Sequence, residues 1–390
     1  MINEEPKNIV VLGAGVAGLR VSQGLIHRLK PYEAHVILID ENKYHQYLYR
    51  IHEVCNLNYK EEDIIIPLDR LLSERVEFHH ASVQNLDTKT KMVITDKGDF
   101  KYDMCVVALG SHVTYFGIEG LEDNSMALSS YEAAKQIRTR IHELFEKAKE
   151  TRKPPEILIG GGGFTGVELA GEISDSIPII CERNNLEYSG TGVTIVEAMS
   201  TILPGWDEKQ VYQVQNILRD QGVDIILNDP IIRVTPDSVE MKSGRIIKPD
   251  LFIWTGGVRG DPACGLDFQV NSGRISIDEY CKAKGFEDIF VAGDSACASD
   301  LSGKPMPPTA HIAMVQGDIV TLNIVAMLRG SSMKKYVYKR AGEIVTLGKT
   351  NAIMDLFGIK FSGFIAKFMK KVVHWWYLHS IGGFKLLLSG

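Results

Sequence analysis

The sequence predicts an α/β protein of two strand-turn-helix domains, the second inserted in the first, with an amphipathic segment at the C-terminal end. Two glycine-rich stretches carry most of that prediction. Residues 157–169, ILIGGGGFTGVEL, run from a short apolar strand through glycines at 161, 163 and 166 into a helical pattern. Residues 8–18, NIVVLGAGVAG, repeat the arrangement with glycines at 13, 15 and 18. In a G-x-G-x-x-G turn the first glycine makes the tight turn and the second lets the backbone approach a pyrophosphate. The third lets helix and strand pack closely, and the phosphates then rest against the positive end of the helix. Two such Rossmann-like loops point to two dinucleotides, and two dinucleotides point to electrons passing between them.

The remaining composition narrows the class. A chain of 390 residues suffices for two domains, and 36 glycines suit nucleotide-binding α/β units. A net charge of −6 gives no reason to expect nucleic acid as a partner. Residues 1–8 are polar and lead straight into the first strand, so no N-terminal signal is expected. The cysteines at 55, 105, 181, 264, 281 and 297 form no C-x-x-C and no close pair. That pattern fits buried thiols in a reducing compartment and disfavours a redox disulfide. No histidine stands in a metal-ligand spacing with them, so no metal is expected.

Taken in order, residues 8–12 are the first strand and about 16–30 the first helix, ended by Pro31. Residues 34–40 form the second strand. It ends in Asp40, placed to accept hydrogen bonds from the ribose of an adenine nucleotide. Residues 102–110 form a buried strand ending at Gly110, beside the same nucleotide. A helix over 129–150 is capped by Ser129 or Ser130 and carries an apolar face at 133, 137, 141, 144, 145 and 148. Lys153-Pro154-Pro155 then marks a domain boundary. The second unit's strand over 192–197 ends in Glu197 with no arginine close behind. A carboxylate there favours two ribose hydroxyls over a 2′-phosphate, hence NAD(H) over NADP(H). Residues 250–260 cross back to the first domain, and 288–297 form a further strand containing Gly293-Asp294. A helix over about 309–329, opened by Pro308 and Thr309, offers a positive end to the negatively charged side of a reduced flavin. The predicted division is 1–152 and 263–329 for the first domain, 153–262 for the insert, and 330–390 for a C-terminal region.

Glu168 stands two residues after the last glycine of the second loop, in the first helical turn on this reading. Helix-dipole complementarity and a role at the nicotinamide–flavin contact both remain open for it. The tail from 356 to 390 holds no acidic residue. Lys360, Lys367, Lys370, Lys371 and Lys385 are interleaved with Phe361, Phe364, Phe368, Trp375, Trp376, Tyr377 and Phe384. Apolar positions 361, 364, 365, 368, 369 and 372 make a helical stripe opposite the lysines. No uncharged apolar run approaches a membrane span, and the tail reads as a helix lying in a membrane surface. A dimer interface and a helix covering the core are the alternatives.

The run GAGVAG, ALGS, GGGFTGVE, VEAMSTILPGWD, WTGGVRG, FVAGD and PPTAHIA resembles the type II NADH:quinone oxidoreductases over nearly the whole chain. These are single-chain, peripheral membrane flavoproteins. The resemblance implies non-covalent FAD at Gly13, Gly15, Gly18, Asp40, Gly110, Gly293, Asp294 and Ala310. It implies NADH as co-substrate at Gly161, Gly163, Gly166, Glu197 and Gly256, and a functional glutamate at Glu168. It implies a membrane quinone as acceptor, with His311, Val315 and Ile381 on the quinone side, lipid contact through residues 356–390, and a homodimer. The cytoplasmic membrane face and a respiratory, non-proton-pumping role follow. One motif departs: the family pattern A-Q-x-A-x-Q reads Ala310-His311-Ile312-Ala313-Met314-Val315, with Gln316 one position late. His311 can still hydrogen-bond a quinone carbonyl, and Val315 cannot. The alternatives are a sulfide:quinone oxidoreductase using Cys181, Cys264 or Cys297, and an NADH-dependent reductase of a soluble redox protein docked on the basic tail.

Overall fold

The computed structural model describes residues 5–56, 59–61, 64–187, 192–260, 267–271, 273–299, 306–337 and 342–387. The side chains of residues 384 and 385, Cys264 and the boundary expected at 262/263 lie outside them. The helices are α1 (Val16–Arg28), α2 (Tyr131–Thr151), α3 (Phe164–Asn184), α4 (Glu208–Asp220), α5 (Ala310–Leu328) and α6 (Gly363–Leu387).

Two five-stranded parallel sheets organise the chain. The first has the order Ile289–Val291, Met104–Val107, Lys7–Leu12, Ala34–Asp40, Val76–His80. The second has the order Met126–Ala127, Leu251–Trp254, Ile157–Gly160, Val193–Val196, Val223–Ile226. In each, the strand that feeds a glycine loop is central, and the strand that ends in an acid lies beside it. Ile9, Val10, Val11 and Leu12 are wholly buried, as are Ile159 and Ile195. Unbroken apolar runs are what a parallel sheet covered on both faces requires.

The chain crosses between the sheets where Ser111–Val113 pairs antiparallel with Val258–Gly260. The predicted division at 152/153 falls elsewhere, inside the second body. Strand Met126–Ala127 pairs with Leu251–Trp254, and Ile137, Ile141 and Phe145 of α2 share a core with Ile157 and Ile159. The prolines at 154 and 155 end a helix there without separating two cores. Ser130 is the α2 cap, its hydroxyl accepting from the Ala133 amide. The strand predicted over 288–297 stops at Val291, because Gly293 adopts φ +72° and turns the chain. Helix α5 is long and apolar enough to cross a membrane by composition, yet it is mostly buried against α1.

The C-terminal region is part of the body. A three-stranded antiparallel sheet, Gly342–Leu347, Asn351–Leu356 and Ile359–Ser362, lies on α3. Helix α6 then runs back to the first body, where Tyr377, Leu378 and Ile381 join its core. Arg20 and Gln23 of α1 donate to the carbonyls of Ser380 and Ile381 at 3.2 and 2.6 Å.

Gly171 is the seat of the C-terminal sheet on α3: a Cβ there would stand 2.8 Å from both the Gly348 nitrogen and the Leu347 Cα. Gly171→Ala is expected to force the sheet outward and cost about 1–3 kcal/mol, read as a lower urea midpoint. An unchanged midpoint would show that the hairpin is not seated on α3 in solution.

Candidate functional site

The two glycine loops have the same construction. Gly13 and Gly161 sit at φ +95° and +108°. A Cβ on Gly18 would lie 1.8 Å from the Gly13 oxygen, and one on Gly166 would lie 2.0 Å from the Gly161 oxygen. Only glycine allows the helix to come this close to its own turn. Gly15 and Gly163 face open space. They are the N-terminal caps of α1 and α3 and provide no side-chain acceptor, so the helix amides are left for a ligand. Asp40 Oδ2 accepts from the Ala14 amide at 2.6 Å, and Glu197 Oε2 accepts from the Gly162 amide at 2.6 Å. Gly256 backs the second loop, its Cα 2.7 Å from where a Gly161 Cβ would be.

The predicted flavin residues meet around the first loop. The Gly110 amide donates to Ser295 Oγ at 2.9 Å, and Ser111 Oγ donates to Asp294 Oδ2 at 3.1 Å. Burial pushes the carboxyls of Asp40 and Asp294 up, against hydrogen bonds that pull each down. Ala310 follows the Thr309 cap as the first residue of α5. Gln316 is wholly buried, its Oε1 accepting from the Gly293 amide at 2.8 Å, and its Nε2 has no partner. An open second glycine, two converging helix N-termini and an unsatisfied buried amide donor fit a dinucleotide cofactor here.

Glu168 is the fifth residue of α3, beyond its first turn, which removes the helix-dipole reading. Its Oε1 accepts from the Thr346 amide at 3.0 Å, the Thr346 hydroxyl at 2.8 Å and the Lys370 ammonium at 3.0 Å. His52 Nδ1 lies 3.5 Å from Oε2. Burial pushes the Glu168 carboxyl up; His52, Lys370 and Thr346 outweigh it and hold it below the usual carboxylate range. Burial also pushes His52 down, against the upward pull of the Glu168 carboxylate. Lys367 points inward too, its ammonium donating to the Gly348 carbonyl. These two tail lysines therefore face protein, while Phe364, Ile365, Phe368, Val373, Trp375 and Trp376 are exposed.

A cavity of about 790 Å³ opens between α6, α3 and the turn over Leu48–Cys55, its wall including Tyr49, Glu172, Thr346, Lys370, His374 and Leu378. Sequence reading did not single out Glu172, Tyr49 or His374. Arg50 binds Glu53 through two nitrogens at 3.0 and 2.7 Å, and burial of the Glu53 carboxyl is outweighed by that pair, leaving it at about 2. His374 bridges Tyr49 OH at 3.0 Å and Arg50 at 2.8 Å. Behind this wall Tyr377 OH donates to His45 Nε2 at 2.8 Å, and His45 Nδ1 donates to the Ala14 carbonyl at 2.9 Å. Burial pushes His45 down to about 4, which keeps the ring neutral, and the Ala14 carbonyl, an acceptor only, places the proton on Nδ1. The cavity wall is thus hydrogen-bonded through to the first glycine loop.

The predicted quinone residues sit apart from this cavity. His311 is exposed on the first turn of α5, Val315 is half-buried one turn on, and Ile381 is a core residue. The described cysteines 55, 105, 181, 281 and 297 are buried and in no disulfide. Burial pushes the Cys55 thiol up to about 12 and raises Cys181 as well, so neither offers a thiolate at neutral pH.

Comparison with known proteins agrees with this geometry. Residues 7–317 match the family described as pyridine nucleotide-disulphide oxidoreductase. The type II NADH:quinone oxidoreductase of Staphylococcus haemolyticus is 34% identical over 392 residues, spanning 97% of both chains. That of Staphylococcus aureus is 33% identical over 395 residues, spanning 98% of both. The structure of NDH2 from Plasmodium falciparum in complex with NADH aligns with a TM-score of 0.86 at 15% identity, covering 98% of this chain and 97% of that one. The sulfide:quinone oxidoreductase of Aquifex aeolicus aligns with a TM-score of 0.79 at 20% identity, covering 96% and 91%. These two structural likenesses speak for the fold; the sequence relatives and the family match decide the family. The chain belongs to the pyridine nucleotide-disulphide oxidoreductases and, among them, to the type II NADH:quinone oxidoreductase family.

Proposed function

We propose that this protein oxidises NADH and passes two electrons through non-covalently held FAD to a membrane quinone. The observation that carries the reading is the pair of matching glycine cradles, each tied to an acid at the end of the neighbouring strand. Bound FAD supplies a two-electron relay between a nicotinamide and an acceptor. Gly13, Gly15, Gly18, Asp40, Gly110, Gly293, Asp294 and Ala310 would hold it, and the α5 N-terminus would offer a positive helix end to its negative charge. Gly161, Gly163, Gly166 and Gly256 hold NADH, and Glu197 accepts from its ribose while repelling a 2′-phosphate. The cavity between α3, α6 and the Leu48–Cys55 turn takes the quinone headgroup; His311, Val315 and Ile381, which the resemblance assigns to the quinone side, lie outside its wall. Glu168 is a positioning residue, fixing the Lys370 ammonium at the cavity wall. The exposed aromatic face of α6 lies in the lipid surface on the cytoplasmic side.

Anaerobic stopped-flow tests the reaction. NADH is expected to bleach the flavin of the loaded protein, a quinone analogue to restore it, and NADPH to bleach it on the order of tenfold more slowly. Flavin that NADH leaves oxidised would overturn the assignment of the second loop. The lipid surface is tested with Phe364→Ser, Trp375→Ser and Trp376→Ser together, at positions 82%, 50% and 56% exposed. Sedimentation with anionic vesicles is expected to fall several-fold with thermal stability unchanged; undiminished sedimentation would rule out this face.

Lys370→Met leaves the Glu168 carboxylate buried without its cation, a loss of about 3 kcal/mol at neutral pH. Because Glu168 is held below its ordinary value, its contribution is present above that value and is lost as pH falls through the folded one. The deficit of the variant is therefore expected to shrink on acidification. A deficit independent of pH in urea titrations would show that lost packing, and not charge, is responsible.

A further inference from the structure

Reduction of a quinone needs a proton that the hydride does not bring. The quinone takes up two electrons and two protons to become a quinol. A nicotinamide hydride accounts for two electrons and one proton, so each turnover draws another proton from an acid. Two buried carboxyls, Glu168 and Glu172, stand one turn apart on α3. Glu168 receives an ammonium, a hydroxyl and an amide, and a carboxylate so supplied with donors has no proton to give. Glu172 lines the cavity itself, is 6% exposed, and accepts at Oε2 from the uncharged Asn56 side chain at 2.7 Å.

The charges around Glu172 are committed elsewhere. From the Leu48–Cys55 turn come His52, Cys55 and Glu53, the last paired with Arg50. From α6 come Lys367, which donates to the Gly348 carbonyl, and Lys370, which serves Glu168 and Thr346. Arg138 of α2 lies over the Tyr59 ring at 4.4 Å, and Asp175, further along α3, accepts from Gln221 and the Lys349 amide.

We propose that Glu172 is the acid that protonates the quinone during its reduction in this cavity, an inference that rests on the NADH:quinone reading above. The carboxyl O–H bond breaks as an O–H bond forms at the quinone oxygen. The carboxylate left behind is reprotonated from solvent through the cavity mouth, where Lys60, Arg70 and Lys371 are exposed. Burial pushes the Glu172 carboxyl up to about 7, Glu53 adds to this, and Asn56, Lys367 and Lys370 oppose it. An acid poised there holds its proton for a large share of the time near neutral pH and still gives it readily.

Glu172→Gln keeps the shape of the side chain and the oxygen that Asn56 donates to. It is expected to slow the quinone half-reaction, measured with menadione, roughly 100-fold, the loss falling there and not on reduction by NADH. In the wild type that half-reaction is expected to decline as pH rises through about 7, because only the protonated carboxyl donates, and the decline is expected to vanish in Glu172→Gln. Lys367→Met removes an opposing cation and is expected to move the decline to higher pH. Independently of turnover, infrared pH-difference spectra of the wild type should show a protonated carboxyl band that titrates near neutrality and is missing in Glu172→Gln. A variant that keeps the wild-type decline, or a wild type without that band, overturns the proposal and leaves NADH:quinone oxidoreduction standing. A wild type that NADH reduces and menadione does not reoxidise overturns both.

Discussion

The Lys370 ammonium, 3.0 Å from the Glu168 carboxylate and 2.8 Å from the Thr346 hydroxyl, joins three segments that are distant in sequence. Helix α3 opens at the second nucleotide loop, the strand carrying Thr346 belongs to the C-terminal sheet, and α6 continues to the first body. An ion pair in this position draws its strength from exclusion of water and loses heavily when one member is removed. Around it the Leu48–Cys55 turn, α3 and α6 enclose the cavity. Two turns further along α6 the Tyr377–His45–Ala14 chain of hydrogen bonds reaches the first loop. One helix thus touches both bodies through polar contacts that tolerate little displacement.

The cradles were legible in the sequence because their construction is local. Gly13 to Gly18 and Gly161 to Gly166 fix their own backbone, and Asp40 and Glu197 follow at a distance set by one helix and one strand. What escaped depends on contacts between remote residues. Lys367 and Lys370 read as the charged side of a membrane-surface helix because no acid lies near them in the tail, whereas their partners stand on α3 and the C-terminal sheet. The boundary at residue 152 was misplaced because two prolines mark a helix end equally well inside a domain, and the core shared by Phe145 and Ile159 leaves no sequence signal. Gln316 sits one position late in its motif, yet its carbonyl oxygen holds the Gly293 turn.

The two sheets also show how repetition serves a transfer of electrons. Each presents the same turn, the same helix end and a carboxylate on the loop amide, so the specificity of each nucleotide is left to what surrounds the cradle. Around the first loop that is Gly110, Asp294 and the start of α5, gathered by Ser111 and Ser295. Around the second it is Gly256 and the turn after Trp254.

The inward lysines of α6 bear on how its outer face could be changed. Cutting the chain before α6 removes more than an exposed aromatic surface. It strips the cation from Glu168, the hydroxyl from His45 and the cover from Tyr47, exposing the cavity along one side. The helix is a wall whose outer face is exposed and aromatic. A variant with a polar outer face keeps the helix and exchanges the exposed phenylalanines and tryptophans for polar residues while Lys367, Lys370 and Tyr377 stay in place.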